Sequence, residues 1–397
     1  MLSLRIAAAS RLRGLLGGGA ATGARTRAFS YGRVVDAAAR DGELRVFVVA
    51  GRSHRSPSVL LVLAGLRKIE DTADAAVLFQ PHAVVTVDSK GFSFRLLKQL
   101  KCRYNQVARP LHVHYVAPSF WAWKDGERRL AKLHNFVDHL LCILPFEEEI
   151  CRLNGLPATY VGHPLLDDAI GLNMEKELSS VNSMHQRSGE DFRQEHEISP
   201  VAPHRDVRVY VDNVVRSGPF PVVLITGETL KERYDAFNVC SRFLAVSRIH
   251  ASRAALCTSG TAVMELMLAK LPCVVAYRAH FITECLIHLR KKIDFISLPN
   301  ILLNSPIVPE ILFGACTAEN LAAKLSEVIC NDEARQLQVE SAEQLLEMLY
   351  EPIKQRGGLF QEELHNSSLP SNIYSPSTIA ALTVLYTDNH QQAVHQN

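Results

Sequence analysis

A run of small polar residues at positions 258–261, Thr-Ser-Gly-Thr, has the composition of a ligand-binding turn. It follows the short apolar run 254–257 and precedes a helical pattern at 262–270. Such a turn leaves backbone N–H groups pointing outward at a helix N-terminus, which suits a diphosphate. Glu265 follows one helical turn later, where its carboxylate can accept hydrogen bonds from ribose hydroxyls. The same residues also suit a well-capped helix without a ligand, and the pattern leaves both interpretations open.

Two further polar residues follow this turn along the chain. Arg278 comes directly after the apolar run 273–277, and Asn300 lies in a Ser-Leu-Pro-Asn sequence beyond it. Both are expected near the same sheet edge, because ligands of α/β sheets bind outside the carboxyl ends of the strands. There is no GxGxxG and no Walker sequence, so a dinucleotide or P-loop site is only weakly supported.

The first half of the chain offers candidates for proton transfer and sugar contact. Asp88 directly follows the apolar run 83–87, where a carboxylate can act as a general base or cap the next helix. Both tryptophans of the chain, Trp121 and Trp123, follow Ser119 in one loop, and such rings either line a cleft or pack in the core. His163, in a Gly-His-Pro sequence, can donate to a substrate or close a tight turn.

Residues 281–293 combine apolar and basic side chains in a helical pattern. The apolar residues Phe281, Ile282, Leu286, Ile287 and Leu289 are mixed with His288, Arg290, Lys291 and Lys292. An apolar face beside basic residues suits a helix resting on an anionic membrane surface, and peripheral contact with membrane lipid is therefore expected. A core-facing helix with a solvated basic end is the equal alternative.

Short apolar strands alternate with helical patterns through the body of the chain. Strands are predicted at 44–50, 83–87, 112–116, 139–144, 160–161, 221–225, 254–257 and 273–277, with strand signals ending near residue 309. This order predicts an α/β chain with parallel sheets, arranged as two Rossmann-like doubly wound domains. The predicted organisation is a domain at 42–169, a polar linker at 170–204, a second domain at 205–350 and a tail at 351–397. A helix of that tail is expected to pack back on the first domain.

The first 33 residues have the composition of an organellar transit peptide. They contain six arginines and no acidic residue, among alanine, glycine, serine and leucine. Removing them turns the formal net charge of +2 into a slightly acidic balance. Mitochondrial import is the first expectation and plastid import the second, with a disordered basic tail as the alternative.

Composition excludes several classes of protein. With 47% hydrophobic and 21% charged residues in 397, the chain is globular, and no apolar stretch is long enough to span a membrane. The body of the chain has no run of basic and aromatic residues, so a nucleic-acid partner is not expected. No cofactor and no metal site is expected, while homo-oligomerisation is left open. The nine cysteines form no CxxC pair, which argues for a reducing compartment: Cys102, Cys142, Cys151, Cys240, Cys257, Cys273, Cys285, Cys316 and Cys330.

Four long segments resemble the lipid-A-disaccharide synthase family, and above all its plant-type organellar members. They are HVHYVAPSFWAWKDGERR (112–129), LPFEEEICRLNGLPATYVGHPLLD (144–167), ASRAALCTSGTAVMELMLAKLPCVVAYR (251–278) and ISLPNILLNSPIVPEIL (296–312), in the family's order. The resemblance implies an inverting glycosyltransferase of the GT-B fold. Its substrates would be UDP-2,3-diacylglucosamine and 2,3-diacylglucosamine 1-phosphate, and its products UDP and a β-1,6 disaccharide.

The resemblance also implies roles for individual residues. Asp88 matches the family's proposed base for the acceptor 6-hydroxyl, while Ser259, Gly260, Thr261 and Glu265 match the UDP-binding turn and helix. Arg278 and Asn300 match polar positions of the donor cleft. Ser119, Trp121, Trp123 and His163 are expected to line the substrate cleft.

The sequence departs from the family pattern in its first domain and its linker. Residues 52–56 replace a glycine-rich AGExSGD turn, and the chain between residue 50 and Asp88 is short enough to lack a βα unit. An LPGSR loop is absent, residues 183–197 standing in its place, and 238–250 interrupt the second domain. The first domain is therefore predicted to be truncated. A non-catalytic relative that retains UDP or lipid binding, and another UDP-sugar enzyme of the same fold, are the alternatives.

Overall fold

The computed structural model describes residues 3–8, 43–50, 59–104, 109–167, 222–225, 233–234, 254–363 and 375–387. The chain forms two compact units, one of residues 1–164 with 352–397 and the other of residues 165–351. The boundary near the C-terminus falls inside one long helix, next to Pro352. The interruption at 238–250 and the linker at 170–204 lie outside the described residues.

The first unit contains a six-stranded parallel sheet in the sequential order β1 to β6. Five of its strands are short apolar runs that the sequence identifies. The strands are β1 (Ser3–Ala8), β2 (Glu43–Ala50), β3 (Ala83–Val87), β4 (Leu111–Tyr115), β5 (His139–Cys142) and β6 (Ala158–Tyr160). Between and after them come α1 (Val59–Phe79), α2 (Lys90–Arg103), α3 (Gly126–Ala131), α4 (Pro145–Leu153) and, near the C-terminus, α10 (Pro376–Tyr386).

The described strands of the first sheet lie side by side in the same order as in the chain. In a doubly wound sheet the strand order reverses at a switch point. The described strands of this sheet show no such reversal, because their order is β1 to β6 throughout. The neighbour of β2 on the open side is β1, which pairs with it in parallel from Ser3 with Glu43 to Ala8 with Val48. Strand β1 belongs to the segment predicted to be a transit peptide. The sequence did not predict a strand there, because the pairing depends on a distant partner.

The second unit contains a five-stranded sheet in the order β11-β10-β9-β7-β8. Strands β9 (Ala254–Cys257), β10 (Cys273–Tyr277) and β11 (Glu310–Leu312) are parallel. Strands β7 (Val222–Ile225) and β8 (Arg233–Tyr234) run antiparallel at one edge. The second sheet therefore combines three parallel strands with an antiparallel edge. The seven residues between β7 and β8 suit a hairpin and are too few for a parallel crossover. Strand β11 also extends the strand signals past residue 309.

The helices of the second unit follow the predicted alternation. They are α5 (Thr261–Leu268), α6 (Phe281–Arg290), α7 (Leu298–Leu303), α8 (Ala318–Cys330) and most of α9 (Asp332–Glu363). Leu321, Leu325 and Val328, spaced three and four residues apart on α8, are buried against β9 and β10. This spacing puts them on one helical face, so burial of that face holds α8 to the sheet.

The last part of α9 packs against β6 and α4 within the first unit. Gly162, which follows β6, has φ +98, and a Cβ there would collide with Ile353 of α9. Arg356 donates from Nη2 to both carboxylate oxygens of Glu148 in α4, at 3.1 and 3.0 Å. Glycine at residue 162 therefore allows both the left-handed turn and the close approach of α9. Among the described helices, none is long and apolar enough to cross a membrane.

Candidate functional site

Asp88 lies at the carboxyl end of β3 with its side chain exposed. Asp88 and Ser89 both have φ 43, two consecutive residues in the left-handed region. The Asp88 N–H donates to the carbonyl of Tyr115 at 3.0 Å, and its own carbonyl accepts from Ser93 Oγ at 2.7 Å. The N-cap position of α2 is Ser89 rather than Asp88, and the Ser89 side chain makes no cap hydrogen bond. A strained turn fixed at both backbone groups thus presents a carboxylate to solvent at the sheet edge.

A buried polar pair lies directly behind Asp88. His114, opposite Thr86 in the β3–β4 register, lies 2.9 Å through Nδ1 from Thr86 Oγ1. Burial lowers the pKa of His114 to about 4, and the nearby Asp88 carboxylate only partly opposes this shift. His114 is therefore neutral at pH 7, and Asp88 faces no imidazolium there.

The loop after β4 is attached to α4 through Trp121. Its indole Nε1 donates to Glu147 Oε1 at 2.9 Å, and its ring meets Phe146 edge to face at 4.9 Å. Glu147 is buried, and its other carboxylate oxygen accepts from the Leu144 N–H at 3.1 Å. Burial raises the pKa of Glu147 to about 7, against the lowering effect of these hydrogen bonds. Trp121 is half-buried and its N–H is used within the fold, and its place in the substrate cleft stays a prediction.

The other predicted cleft residues of the first unit differ in exposure. Ser119 is exposed beside Phe120, whose ring lies 5.7 Å from the Nζ of Lys90. Trp123 is half-buried. His163 is buried after the Gly162 turn, and burial lowers its pKa to about 4. The structure thus brings Ser119 and its loop to the same sheet edge as Asp88, while His163 is enclosed and neutral.

The 258–261 turn lies between β9 and α5 as the sequence predicts. Gly260 is the N-cap of α5, with φ 149, and no side chain caps the helix. Gly260 and Thr261 are exposed, whereas Ser259 is half-buried and donates from Oγ to the carbonyl of Ile296 at 2.7 Å. The first N–H groups of α5 are therefore left without a side-chain acceptor, which is the arrangement that binds anions.

Glu265 and Arg278 flank this turn within the second unit. Glu265 is half-buried one turn into α5, and Arg278 is exposed after β10. The Arg278 guanidinium lies close enough to Cys316 to oppose the rise that burial causes in the pKa of that thiol. A cation and a carboxylate thus follow the carboxyl ends of two neighbouring strands.

Asn300 has a different position from the one its residue type suggested. Its amide is fully buried and donates to the Val308 carbonyl at 2.8 Å and to Glu310 Oε1 at 2.9 Å, while its oxygen accepts from the Val308 N–H at 2.8 Å. Glu310 also accepts from the N–H and hydroxyl of Ser297 at 2.9 and 2.6 Å. Asn300 therefore holds the 296–310 segment in place, and we revise its role from a ligand contact to a positioning residue.

Replacing Asn300 by Ala should destabilise the second unit by about 3 kcal/mol or more, because several buried polar groups lose their partner. Urea unfolding followed by circular dichroism measures the change. The matched variant Asn304→Gly removes an exposed asparagine at φ 47 in the same segment and should cost little. Equal stability of the two variants would contradict the positioning role.

Sequence reasoning missed the residues that act through long-range contacts. These residues lie in strands or at the start of a helix: Thr86, His114, Glu147 and Glu310. The sequence signal for Thr86 and His114 is a polar residue inside an apolar run, and Glu147 and Glu310 have no such signal. Among the described residues, no group of three or more His, Cys, Asp or Glu side chains could hold a metal ion. The eight cysteines in the described part of the chain are free thiols.

Two α/β units with polar loops at the carboxyl ends of their strands define a two-domain enzyme of the Rossmann-like class. The family model for lipid-A-disaccharide synthetase matches residues 58–185 and 229–363. The chain belongs to this family, whose members are glycosyltransferases of lipid A biosynthesis.

Individual relatives agree with the family match. A probable mitochondrial lipid-A-disaccharide synthase of Arabidopsis thaliana is 39% identical and aligns over 89% of this chain and 93% of its own length. The lipid-A-disaccharide synthase of Rhodospirillum centenum is 30% identical over 77% of each chain. That of Paramagnetospirillum magneticum is 32% identical over 72% of this chain and 75% of its own.

Proposed function

We propose that this chain transfers a 2,3-diacylglucosamine unit from its UDP derivative to 2,3-diacylglucosamine 1-phosphate, with inversion. The acceptor 6-hydroxyl oxygen bonds to the anomeric carbon, the bond from that carbon to the UDP oxygen breaks, and UDP leaves with the electron pair. The hydroxyl proton passes to a base. Family membership and the names of the relatives support this choice of substrates.

We assign the base to Asp88. Its carboxylate is exposed at a strand end and held by a backbone turn with two left-handed residues, and Ser89 rather than Asp88 has the N-cap position of α2. This geometry is the single observation that carries the reaction, because an inverting displacement needs one positioned base. Ser119 shares that sheet edge and is proposed to contact the acceptor. Trp123 and His163 are kept as proposed cleft residues, His163 as a neutral one.

The diphosphate of UDP is assigned to the N-terminus of α5. Gly260 lets the ligand approach the backbone, since nothing lies within 4 Å of the position its Cβ would take. Ser259 and Thr261 line the turn, and Arg278 adds positive charge that stabilises the leaving diphosphate. Glu265 is proposed to accept hydrogen bonds from the ribose.

The test of the reaction is acceptor-dependent UDP release by the purified chain, with both diacylated substrates present. Release that needs the acceptor supports the transfer, and release without it indicates hydrolysis. A folded chain that binds UDP but releases none from the donor favours a binding protein without turnover. The observation that favours a binding protein without turnover is the strand order of the first sheet, which has no switch point among its described strands.

Glu265→Ala should weaken UDP binding about tenfold, as expected for loss of charge-assisted hydrogen bonds to the ribose. Isothermal titration with UDP measures the affinity. Glu284→Ala, which removes a partly buried carboxylate from α6, is the matched control and should bind UDP like the parent chain. Equal affinity of the two variants would remove Glu265 from the ribose site.

We also propose that the chain acts in mitochondria. The arginine-rich first 33 residues and the printed name of the Arabidopsis relative support this location. Imaging of the full chain fused to a fluorescent protein tests it, and plastid fluorescence would contradict it.

A further inference from the structure

Lys90 is an exposed cation at the turn that holds Asp88. It begins α2 two residues after Asp88, and both side chains are exposed. Two residues of chain span at most about 7 Å, so one short turn presents the ammonium group and the carboxylate. Among the described residues, no carboxylate lies within ion-pair distance of the Lys90 ammonium group. Its charge is therefore available to an anionic ligand.

The Lys90 side chain lies over the loop that follows β4. Its Nζ is 5.7 Å from the centre of the Phe120 ring, which is within cation–π distance. Phe120 directly follows Ser119, the exposed residue proposed to contact the acceptor. This contact joins the loops at the ends of β3 and β4 and restricts the position of the ammonium group. The cation is thereby held beside the turn that carries Asp88.

The other cations of α2 have different surroundings. The helix contains no acidic residue, and its basic residues are Lys90, Arg95, Lys98, Lys101 and Arg103. Arg103 pairs with the Asp74 carboxylate. The Nζ of Lys98 lies 4.8 Å from the centre of the Phe136 ring, about two helical turns beyond Lys90. Lys90 is therefore the basic residue of α2 that adjoins the proposed base.

The structure of the proposed acceptor places an anion near the hydroxyl that reacts. In 2,3-diacylglucosamine 1-phosphate the phosphate is attached to C1, and the 6-hydroxyl is attached through C6 to C5. C1 and C5 are the two carbons bonded to the ring oxygen, so the phosphate and the hydroxyl lie on the same side of the sugar. A base that reaches the hydroxyl thus has the phosphate close by. The lysine ammonium group is a compact charge that commonly binds phosphate.

We propose that Lys90 binds the phosphate of the acceptor and so selects a phosphorylated acceptor for the base at Asp88. Its Nζ donates hydrogen bonds to phosphate oxygens while the Asp88 carboxylate takes the proton of the 6-hydroxyl. This inference rests on the proposed function and adds a specificity-determining residue to it. The two anionic groups of the reaction are then assigned to separate cations, Lys90 for the acceptor and Arg278 for the donor.

Acceptor binding is measured without the sugar nucleotide, so that the test needs no turnover. Both tryptophans of the chain follow Phe120 closely, and their fluorescence is recorded as 2,3-diacylglucosamine 1-phosphate is added in micelles of a neutral detergent. Lys90→Gln should raise the Kd roughly tenfold to a hundredfold, as expected for loss of a hydrogen bond between charged groups. The same lipid without its phosphate should bind both proteins equally. Lys90→Arg keeps the charge and should restore most of the affinity.

Lys98→Gln is the matched control. Lys98 is also an exposed lysine of α2 whose Nζ lies over an aromatic ring, but it is remote from Asp88 along the helix. This variant should bind the phosphorylated lipid like the parent chain. Both substitutions remove one positive charge from the same helix, so equal affinities of the two variants would indicate a general charge effect and overturn the proposal.

Acceptor-dependent UDP release separates this inference from the proposed function. In Lys90→Gln the kcat/KM should fall by a similar factor with the phosphorylated acceptor and stay unchanged with the lipid that lacks phosphate. A loss of equal size with both acceptors would overturn the phosphate role, as would an unchanged preference between them. A chain that binds the phosphorylated lipid through Lys90 but releases no UDP would leave that role intact and refute only the transfer reaction.

Discussion

Asp88→Asn should lower acceptor-dependent UDP release by about 10² to 10⁴, the range that general base catalysis contributes. Asparagine keeps the size of the side chain and tolerates the left-handed backbone at φ 43, but it cannot take the hydroxyl proton. UDP affinity should stay unchanged, because the proposed diphosphate site lies in the other unit. A rate loss without an affinity loss is the signature of a group that acts in the transition state.

Asp125 provides the matched control for this experiment. It is an exposed aspartate at φ 60 immediately before α3, in the same unit as Asp88, and its side chain makes no cap. Asp125→Asn should leave UDP release at the parent rate. If Asp88→Asn also kept that rate in a chain that releases UDP, the base would have to be another group.

The second large effect is acid unfolding of the first unit. Burial lowers the pKa of four of its histidines to about 4, far below their value in an unfolded chain, and in His139 two arginines add to the effect. The four residues are His112, His114, His139 and His163. Since the folded pKa is depressed, the unfolded state takes up these protons first. Stability is therefore complete above pH 6.5 and is lost as the pH falls towards 4.

One buried carboxylate works in the opposite direction. Burial raises the pKa of Glu147 to about 7, so its ionisation costs stability as the pH rises from 4.5 to 7. Each histidine shift corresponds to about 3 kcal/mol at most, and four of them outweigh one such carboxylate. We expect a net loss on the order of 5 kcal/mol between pH 6.5 and 4.

Tryptophan fluorescence measures this loss selectively, because both tryptophans of the chain lie in the first unit. Urea unfolding at several pH values gives the slope of stability against pH. His114→Gln should flatten that slope, while His134→Gln changes an exposed histidine and should leave it as it is. A chain that is equally stable at pH 6.5 and 4 would contradict the assignment.

Short apolar runs in the sequence predict most strands of the two sheets. The runs at 83–87, 254–257 and 273–277 are strands with the predicted bounds, because a buried parallel strand needs a short continuous apolar segment. Strand β1 and the antiparallel edge of the second sheet were missed. Pairing partner and direction are not encoded in the composition of a single strand.

For the candidate site, too, the sequence predicts some features and the tertiary contacts decide the others. Position after a strand was enough to nominate Asp88 and the 258–261 turn, since loops at the carboxyl ends of strands face the ligand in this class of fold. It did not show that the Trp121 indole donates to Glu147, nor that Asn300 in α7 donates to Glu310. Those partners lie 26 and 10 residues away along the chain.

The sequence by itself determined the α/β class, the family and the turns where chemistry is expected, because these depend on local patterns of apolar and polar residues. Only the tertiary structure decided which polar groups are already satisfied and which face of α6 meets solvent. The pattern at 281–293 suited a buried helix and a membrane-bound one equally. Burial depends on what packs against a helix, and contacts between residues distant in the chain settle that.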